Sequence, residues 1–256
     1  MRDVVSSRKN PAVQHFKRLG TSAAYRRNTG LFVGEGLTLL REALAAHWTP
    51  VTVAFTPDTP LPDLPGATQR LCCTEAVMAT MSPSQTPPGL LFAARLPVQS
   101  PPMLPSGRYL FLDRVQDPGN VGSILRSARA FGIQGACYTD DCADPFAPKT
   151  LRAAMGASFC LPLWKIEAPE AFLSQQTLPL LAAVPDTADA DIRRANLSQG
   201  IFVLGNEAVG IRPGLLALCG LKVRIPMMGQ SESLGVAAAA AVFLWEAFCS
   251  ADREMS

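Results

Sequence analysis

The sequence predicts an α/β protein in two parts: a mostly parallel sheet covered by helices on both faces, preceded by a smaller α/β domain. Three observations carry this. Short apolar runs alternate with helical stretches through the second half of the chain, the pattern of strands buried on both faces. The string PVQSPPMLPSG, residues 97–107, reads as a linker, because its prolines can neither donate to a ladder nor continue a helix. A chain of 256 residues with 48% hydrophobic and 17% charged side chains can bury a large core, in one large domain or two small ones. The expected division is a domain over 1–97, a linker over 98–107 and a second domain over 108–256.

Residues 1–27 form a cationic arm, in which Arg2, Arg8, Lys9, Lys17, Arg18, Arg26 and Arg27 face one acid, Asp3. Of 23 basic and 21 acidic residues in all, 16 and 20 then remain for the rest of the chain. Phe16 and Tyr25 sit among those cations as stacking surfaces, the composition that grips irregular or single-stranded RNA. The same residues fit an amphipathic helix with Val13, Phe16 and Leu19 facing inward and the cations in water, and both readings stand. TGLFVGEGLTLLREALAAH predicts a short strand, a glycine turn and a helix over 37–46; VTVAFT and GLLFAARL predict strands, with a helix over 75–81 between them. Past the linker come YLFL, a helix over 121–131, GACYT, a helix over 146–155, then FCLPLW, LPLLAAV, IFVL and VRI as strands, and a final helix over 233–248.

Several function classes recede on composition. No charged stretch followed by an apolar one opens the chain, and its longest apolar run, LGVAAAAAVFLW, is too short to span a bilayer, so a cytoplasmic protein with no membrane partner is expected. The seven cysteines are odd in number and match no zinc spacing, which predicts reduced thiols and no metal. Only His15 and His47 supply imidazole, both far upstream of the second domain's loops, which weighs against hydrolase chemistry.

Parallel sheets place ligands at the carboxyl ends of their strands, so chemistry is sought in the loops that follow them. Three stand out. In DPGNVGSILRSARAFG, Asn120 is a good N-cap, and Arg126 lies with Gly122, Ser123 and Arg129 opposite a buried stripe of Ile124, Leu125, Ala128 and Phe131. In VLGNEAVGI, Gly205 ends a strand and lets a ligand approach the backbone, with Glu207 on the turn. In IPMMGQSESLGVAAAA, Pro226 stops a strand before an apolar loop and an alanine-rich helix. Taken singly, each has an ordinary explanation: a solvated arginine, a common turn, a core helix.

Together and in this order, the three segments resemble the motifs of the SpoU/TrmH family of RNA ribose 2′-O-methyltransferases, within the SPOUT superfamily. The intervening DPFAPKTLRAAMGASFCLPL is similar to the family as well, and SSRKNPAVQHFKRLG, YRRNTGLFVGEG and TPPGLLFAARLP resemble its N-terminal substrate-binding domain. The resemblance implies a trefoil-knotted α/β fold, S-adenosyl-L-methionine bound in the knot, a homodimer and an RNA substrate, rRNA before tRNA. It implies catalytic roles for Asn120, Arg126, Glu207 and Ser233, and cofactor contacts at Leu204, Gly205, Ile225, Met228 and Leu234. It strengthens the RNA reading of Arg8, Lys9, Lys17, Arg18, Arg26 and Arg27. One departure stands in the third motif, where the family commonly has Ser-Leu-Asn and this chain has Ser233-Leu234-Gly235.

A guanidinium, with a pKa above about 12, is a poor general base, so Arg126 is expected to donate hydrogen bonds to the 2′-oxygen or a neighbouring phosphate. Glu207 then orients a guanidinium or accepts the proton. Three other functions compete with this one. A dinucleotide oxidoreductase needs a glycine triplet that Gly119-Asn120-Val121-Gly122 lacks. A tRNA base methyltransferase shares the knot but not the first motif. A catalytically silent RNA-binding or assembly protein is kept open by Gly235.

Overall fold

The computed structural model describes residues 4–98, 100, 102–186, 188–228 and 234–255. In chain order the first elements are α1 (Pro11–Thr21), α2 (Ala23–Thr29), β1 (Leu31–Glu35), α3 (Leu37–Ala45), β2 (Pro50–Phe55), β3 (Gln69–Cys72), α4 (Glu75–Met81) and β4 (Leu90–Arg95). Next come β5 (Arg108–Leu112), α5 (Pro118–Ala130), β6 (Gly135–Thr139), α6 (Pro148–Ala154), α7 (Ala157–Cys160), β7 (Leu163–Ile166), α8 (Pro169–Ser174) and β8 (Leu180–Ala183). The last are β9 (Ala190–Asp191), β10 (Gly200–Leu204), α9 (Pro213–Leu218), β11 (Leu221–Arg224) and α10 (Val236–Met255). Among the described residues no helix is long and apolar enough to cross a membrane.

Two compact units result, one of Met1–Val98 with Asp144–Phe159, the other of Gln99–Ala143 with Cys160–Ser256. In the first, a four-stranded sheet runs in the order β1-β4-β2-β3, with β4 antiparallel to both neighbours and β2 parallel to β3. Helix α1 starts where Asn10 accepts from the Ala12 amide ahead of a first-turn proline. Its Val13, Phe16 and Leu19 recur at helical spacing and pack on Val77, Met78 and Met81 of α4 and on Val33, Ala54 and Leu91 of the sheet. Phe16 is thus a core residue, as the amphipathic reading requires, and not a stacking surface.

The stretch 144–159 follows β6 in sequence yet belongs to the first unit, where the sequence placed it in the second domain. Its partners explain this. Phe146 and Phe159 lie 5.2 and 6.0 Å from the Phe32 ring, and the Trp48 indole donates to the Phe159 carbonyl at 2.9 Å. Two ion pairs hold it as well: Arg26 with Asp144 at 2.7 Å, and Arg152 with the buried Glu35, which also accepts from Ser82 and Ser84 at 2.5 and 2.7 Å. A buried carboxylate with three donors is satisfied; one stripped of them would be costly.

The second unit carries a seven-stranded sheet in the order β7-β6-β5-β10-β8-β11-β9, every pair parallel. Successive residues of β10 serve opposite faces. Ile201 and Val203 join a core with Leu173 of α8 and Leu215 of α9, whereas Phe202 meets Phe243 of α10 at 6.5 Å. Both faces are therefore covered, which is why the strands read as continuous apolar runs. Phe159 and Cys160, read as the start of a strand, are helical, and the strand begins at Leu163.

Candidate active site

Because β10 lies between β5 and β8, with β11 beyond β8, the loops after these strands emerge from one edge of the sheet. The turns after β8, β10 and β11, with the start of α10, enclose a cavity of about 270 Å³. Its apolar wall includes Leu204, Ile225, Met227, Leu234 and Phe243, and its polar rim Asn206 and Glu207. Mostly apolar walls with a few placed polar groups are what a mid-sized ligand with a flat ring needs.

The segment after β5 reaches Glu207 through Asn120. Asp117, not Asn120, caps α5, accepting from the Asn120 amide at 2.9 Å ahead of Pro118. Asn120 sits in the first turn, its side chain not used as the cap, and its Nδ2 donates to Glu207 Oε1 at 2.7 Å. Two motifs distant in sequence thus meet in one hydrogen bond. Gly122 is buried with Val121, Ile124, Leu125 and Ala128, so it belongs to the core stripe and not to the polar face where the sequence put it.

The turn carrying Glu207 is built by Asn206. Its Oδ1 accepts from the amides of Ala208 and Val209 at 2.9 and 3.1 Å, its Nδ2 donates to the Arg114 carbonyl at 2.8 Å, and its backbone pairs with Gly210 in both directions. Gly205 lacks a Cβ for a local reason: one would lie 2.4 Å from both the Gly210 carbonyl carbon and the Ile211 nitrogen. The group that crowds Gly205 is the chain's own backbone, where the sequence suggested a ligand.

Beneath the turn lies an ion cluster that the sequence did not reveal. Asp113, fully buried at the end of β5, accepts from the Arg212 amide and Nε at 2.7 Å each and from its Nη2 at 2.6 Å. Arg212 continues to Asp141, which accepts from Thr139 at 2.6 Å. Burial alone would raise the Asp141 carboxyl, but the Thr139 hydroxyl and then Arg212 outweigh it and hold it below its ordinary value. Burial likewise disfavours the Arg212 charge, and the hydrogen-bonded Asp113 more than restores it. The ends of β5 and β6 and the start of α9 are pinned together by this chain of charges.

The remaining candidates divide. Leu204, Gly205, Ile225 and Leu234 line the cavity; Met228 does not, being almost wholly exposed while Met227 takes the wall. Arg126 lies on the exposed face of α5 and has no hydrogen bond or ion pair among the described residues. Ser233 lies outside the described residues. In the first unit Arg8, Lys9, Lys17, Arg18 and Arg27 are exposed, and Arg18 stacks 3.8 Å over the Tyr25 ring. Arg26 is different: it is 4% exposed, spent on Asp144 and the Leu19 carbonyl, and so is a packing residue rather than an RNA contact.

Comparison with known proteins agrees with this geometry. The model of the SpoU rRNA Methylase family matches residues 107–245, and that of the MRM3-like substrate binding domain matches residues 10–92. A Synechocystis protein described as an uncharacterized tRNA/rRNA methyltransferase is 33% identical over 260 residues, covering 95% of this chain and 92% of its own. The 23S rRNA (guanosine(2553)-2′-O)-methyltransferase RlmP of Bacillus subtilis is 29% identical over 244 residues, covering 94% of this chain and 97% of its own. The AdoMet-bound rRNA methyltransferase of Sinorhizobium meliloti superposes with a TM-score of 0.83 at 27% identity, over 96% of this chain and 97% of that one. The SpoU methyltransferase AviRb of Streptomyces viridochromogenes shares the fold, with a TM-score of 0.85 at 24% identity over 97% of this chain and 99% of its own. With its strand-end loops drawn into one pocket and a family model spanning more than half its length, the chain belongs to the SpoU rRNA methylase family.

Proposed function

We propose that this protein transfers a methyl group from S-adenosylmethionine to a ribose 2′-hydroxyl of ribosomal RNA. The observation that carries the reading is the Asn120–Glu207 hydrogen bond at the rim of the cavity, which joins the first and second motifs beside a ligand-sized space. The names of relatives support the substrate: besides RlmP, a Streptomyces viridochromogenes relative is named a 23S rRNA (uridine(2479)-2′-O)-methyltransferase.

The cavity fits the cofactor. Apolar side chains of Leu204, Ile225, Met227 and Leu234 suit an adenine ring and the methionine chain, while the backbone of the 205–210 turn and the strand end near Ile225 offer hydrogen-bonding groups at its edges. When bound, S-adenosylmethionine supplies an electrophilic sulfonium methyl group. The protein's part is alignment and charge stabilisation, and alignment alone contributes roughly 7–11 kcal/mol when reacting atoms are held in near-attack geometry. Asn120 fixes one oxygen of Glu207, leaving the other to orient a guanidinium or to take the 2′-proton. Arg126, exposed on α5, donates to the 2′-oxygen or an adjacent phosphate as negative charge develops. Ser233, in the third motif, is the remaining catalytic candidate.

The cations Arg8, Lys9, Lys17, Arg18 and Arg27 grip the RNA backbone. A homodimer and the trefoil knot belong to the same proposal, and the exposed Trp245, stacked with Phe248 and edge-on to Phe131, supports a second copy covering that face of α5 and α10. The test is calorimetry with S-adenosylmethionine together with labelled methyl transfer to separated rRNA and tRNA. Label in rRNA is expected. A well-folded protein with no affinity for the cofactor would instead be a silent RNA-binding member of the family.

A further inference from the structure

Arg114 is one of three residues other than glycine described with a positive φ, +58°, and it stands between the end of β5 and α5, at the foot of the site. Glycine adopts that conformation without strain; arginine pays for it, and strained backbone of this kind gathers where a side chain is needed. The contacts show what the conformation achieves. The Arg114 amide donates to Thr139 Oγ1 at 3.0 Å, its carbonyl accepts from Asn206 Nδ2 at 2.8 Å, and its Nη2 donates to the Gly210 carbonyl at 3.3 Å. One residue therefore holds both ends of the turn that carries Glu207. Its Nε is buried, has no hydrogen-bond partner among the described residues and lies 3.6 Å from the Asp113 carboxylate, too far for a good bond, so the side chain is not placed there for Asp113, which Arg212 already satisfies.

From this clasp we infer that Arg114 is a positioning residue for methyl transfer: its guanidinium keeps the 206–210 turn closed and so sets Glu207 against Asn120. The inference rests on the function proposed above. Arg114→Gly separates this role from a merely structural one, because it removes the side chain while relaxing the backbone. Strain relief offsets the lost hydrogen bond to Gly210, so the melting midpoint is expected to move by less than about 3 °C. Hydrogen exchange at the amides of 208–210 should quicken about ten-fold, and kcat should fall about ten-fold or more with KM for RNA within about two-fold, the signature of a misplaced group. Arg114→Lys, which keeps the charge but not the planar fork, should recover only part of kcat. Wild-type kcat and exchange in Arg114→Gly would overturn the inference, as would a loss of kcat that only follows a lowered melting midpoint. If the wild-type protein transfers no methyl group, the proposed function fails, and the exchange rates alone decide whether Arg114 closes the turn.

Discussion

Replacing Gly205 with alanine separates two reasons for a glycine at the end of β10. A Cβ there would stand 2.4 Å from two backbone atoms and 2.7 Å from the Gly210 oxygen, where ordinary contact begins at 3.4 Å. Backbone cannot rotate away as a side chain can, so the 210–211 segment must retreat by about 1 Å. That displacement stretches both Asn206–Gly210 backbone bonds, now 3.1 and 3.0 Å, beyond good geometry. Each of the two is worth about 1 kcal/mol and overpacking adds about 1–3, so a loss of about 3–5 kcal/mol is expected. For a unit of this size that lowers the melting midpoint by roughly 6–20 °C. Turnover should fall by about 100-fold, because Glu207 rides on the displaced turn. Thermal unfolding without cofactor is the decisive assay. If the glycine served only a ligand's approach, the ligand-free midpoint would not move, and a wild-type midpoint in Gly205→Ala would refute the reasoning.

Arg26→Met should lower the melting midpoint yet leave the salt dependence of RNA binding unchanged, whereas Lys17→Ala or Arg27→Ala should leave stability intact and reduce the salt slope by about one; filter binding over a salt series checks this. His15 is held below its ordinary pKa by burial and then by Arg18. The unfolded chain therefore takes up the proton first, so stability is full above about pH 6.5 and declines on acidification until the folded protein also protonates; melting curves against pH should show this fall, and His15→Gln should flatten it. Gly235 has open space where a Cβ would go, so Gly235→Asn should fold normally and give turnover at or above wild type, as read by labelled methyl transfer; a ten-fold loss would show that this chain uses the gap.

What was legible in the sequence was local. Helix α4 follows from the Thr74 cap and the buried spacing of Val77, Met78 and Met81, and the central strands from continuous apolar runs covered on both faces. Two-residue β9 has no pattern of its own, its register being set by pairing with β11. Stretch 144–159 carries aromatic residues whose partners, Phe32 and Trp48, lie about a hundred residues upstream, so neighbouring sequence could not show which core it would join. The site divides likewise. Asn120 and Glu207 were named through motif order, but their contact spans 87 positions, and the Asp113–Arg212 pair spans 99 with no motif to announce it. Arg26 looks like any exposed cation until Asp144 is folded beside it, and one step of register decides that Met227 rather than Met228 faces the cavity.

In the proposed function the three loops form one site for methylating an RNA sugar. The most direct measurement is the chemical position of the transferred methyl group after incubation of 23S rRNA with the protein and labelled S-adenosylmethionine, followed by alkaline hydrolysis. A single alkali-resistant dinucleotide carrying the label, absent with Glu207→Gln, is the predicted result. Label on a base, or rRNA left unlabelled by a protein that binds the cofactor, would contradict it.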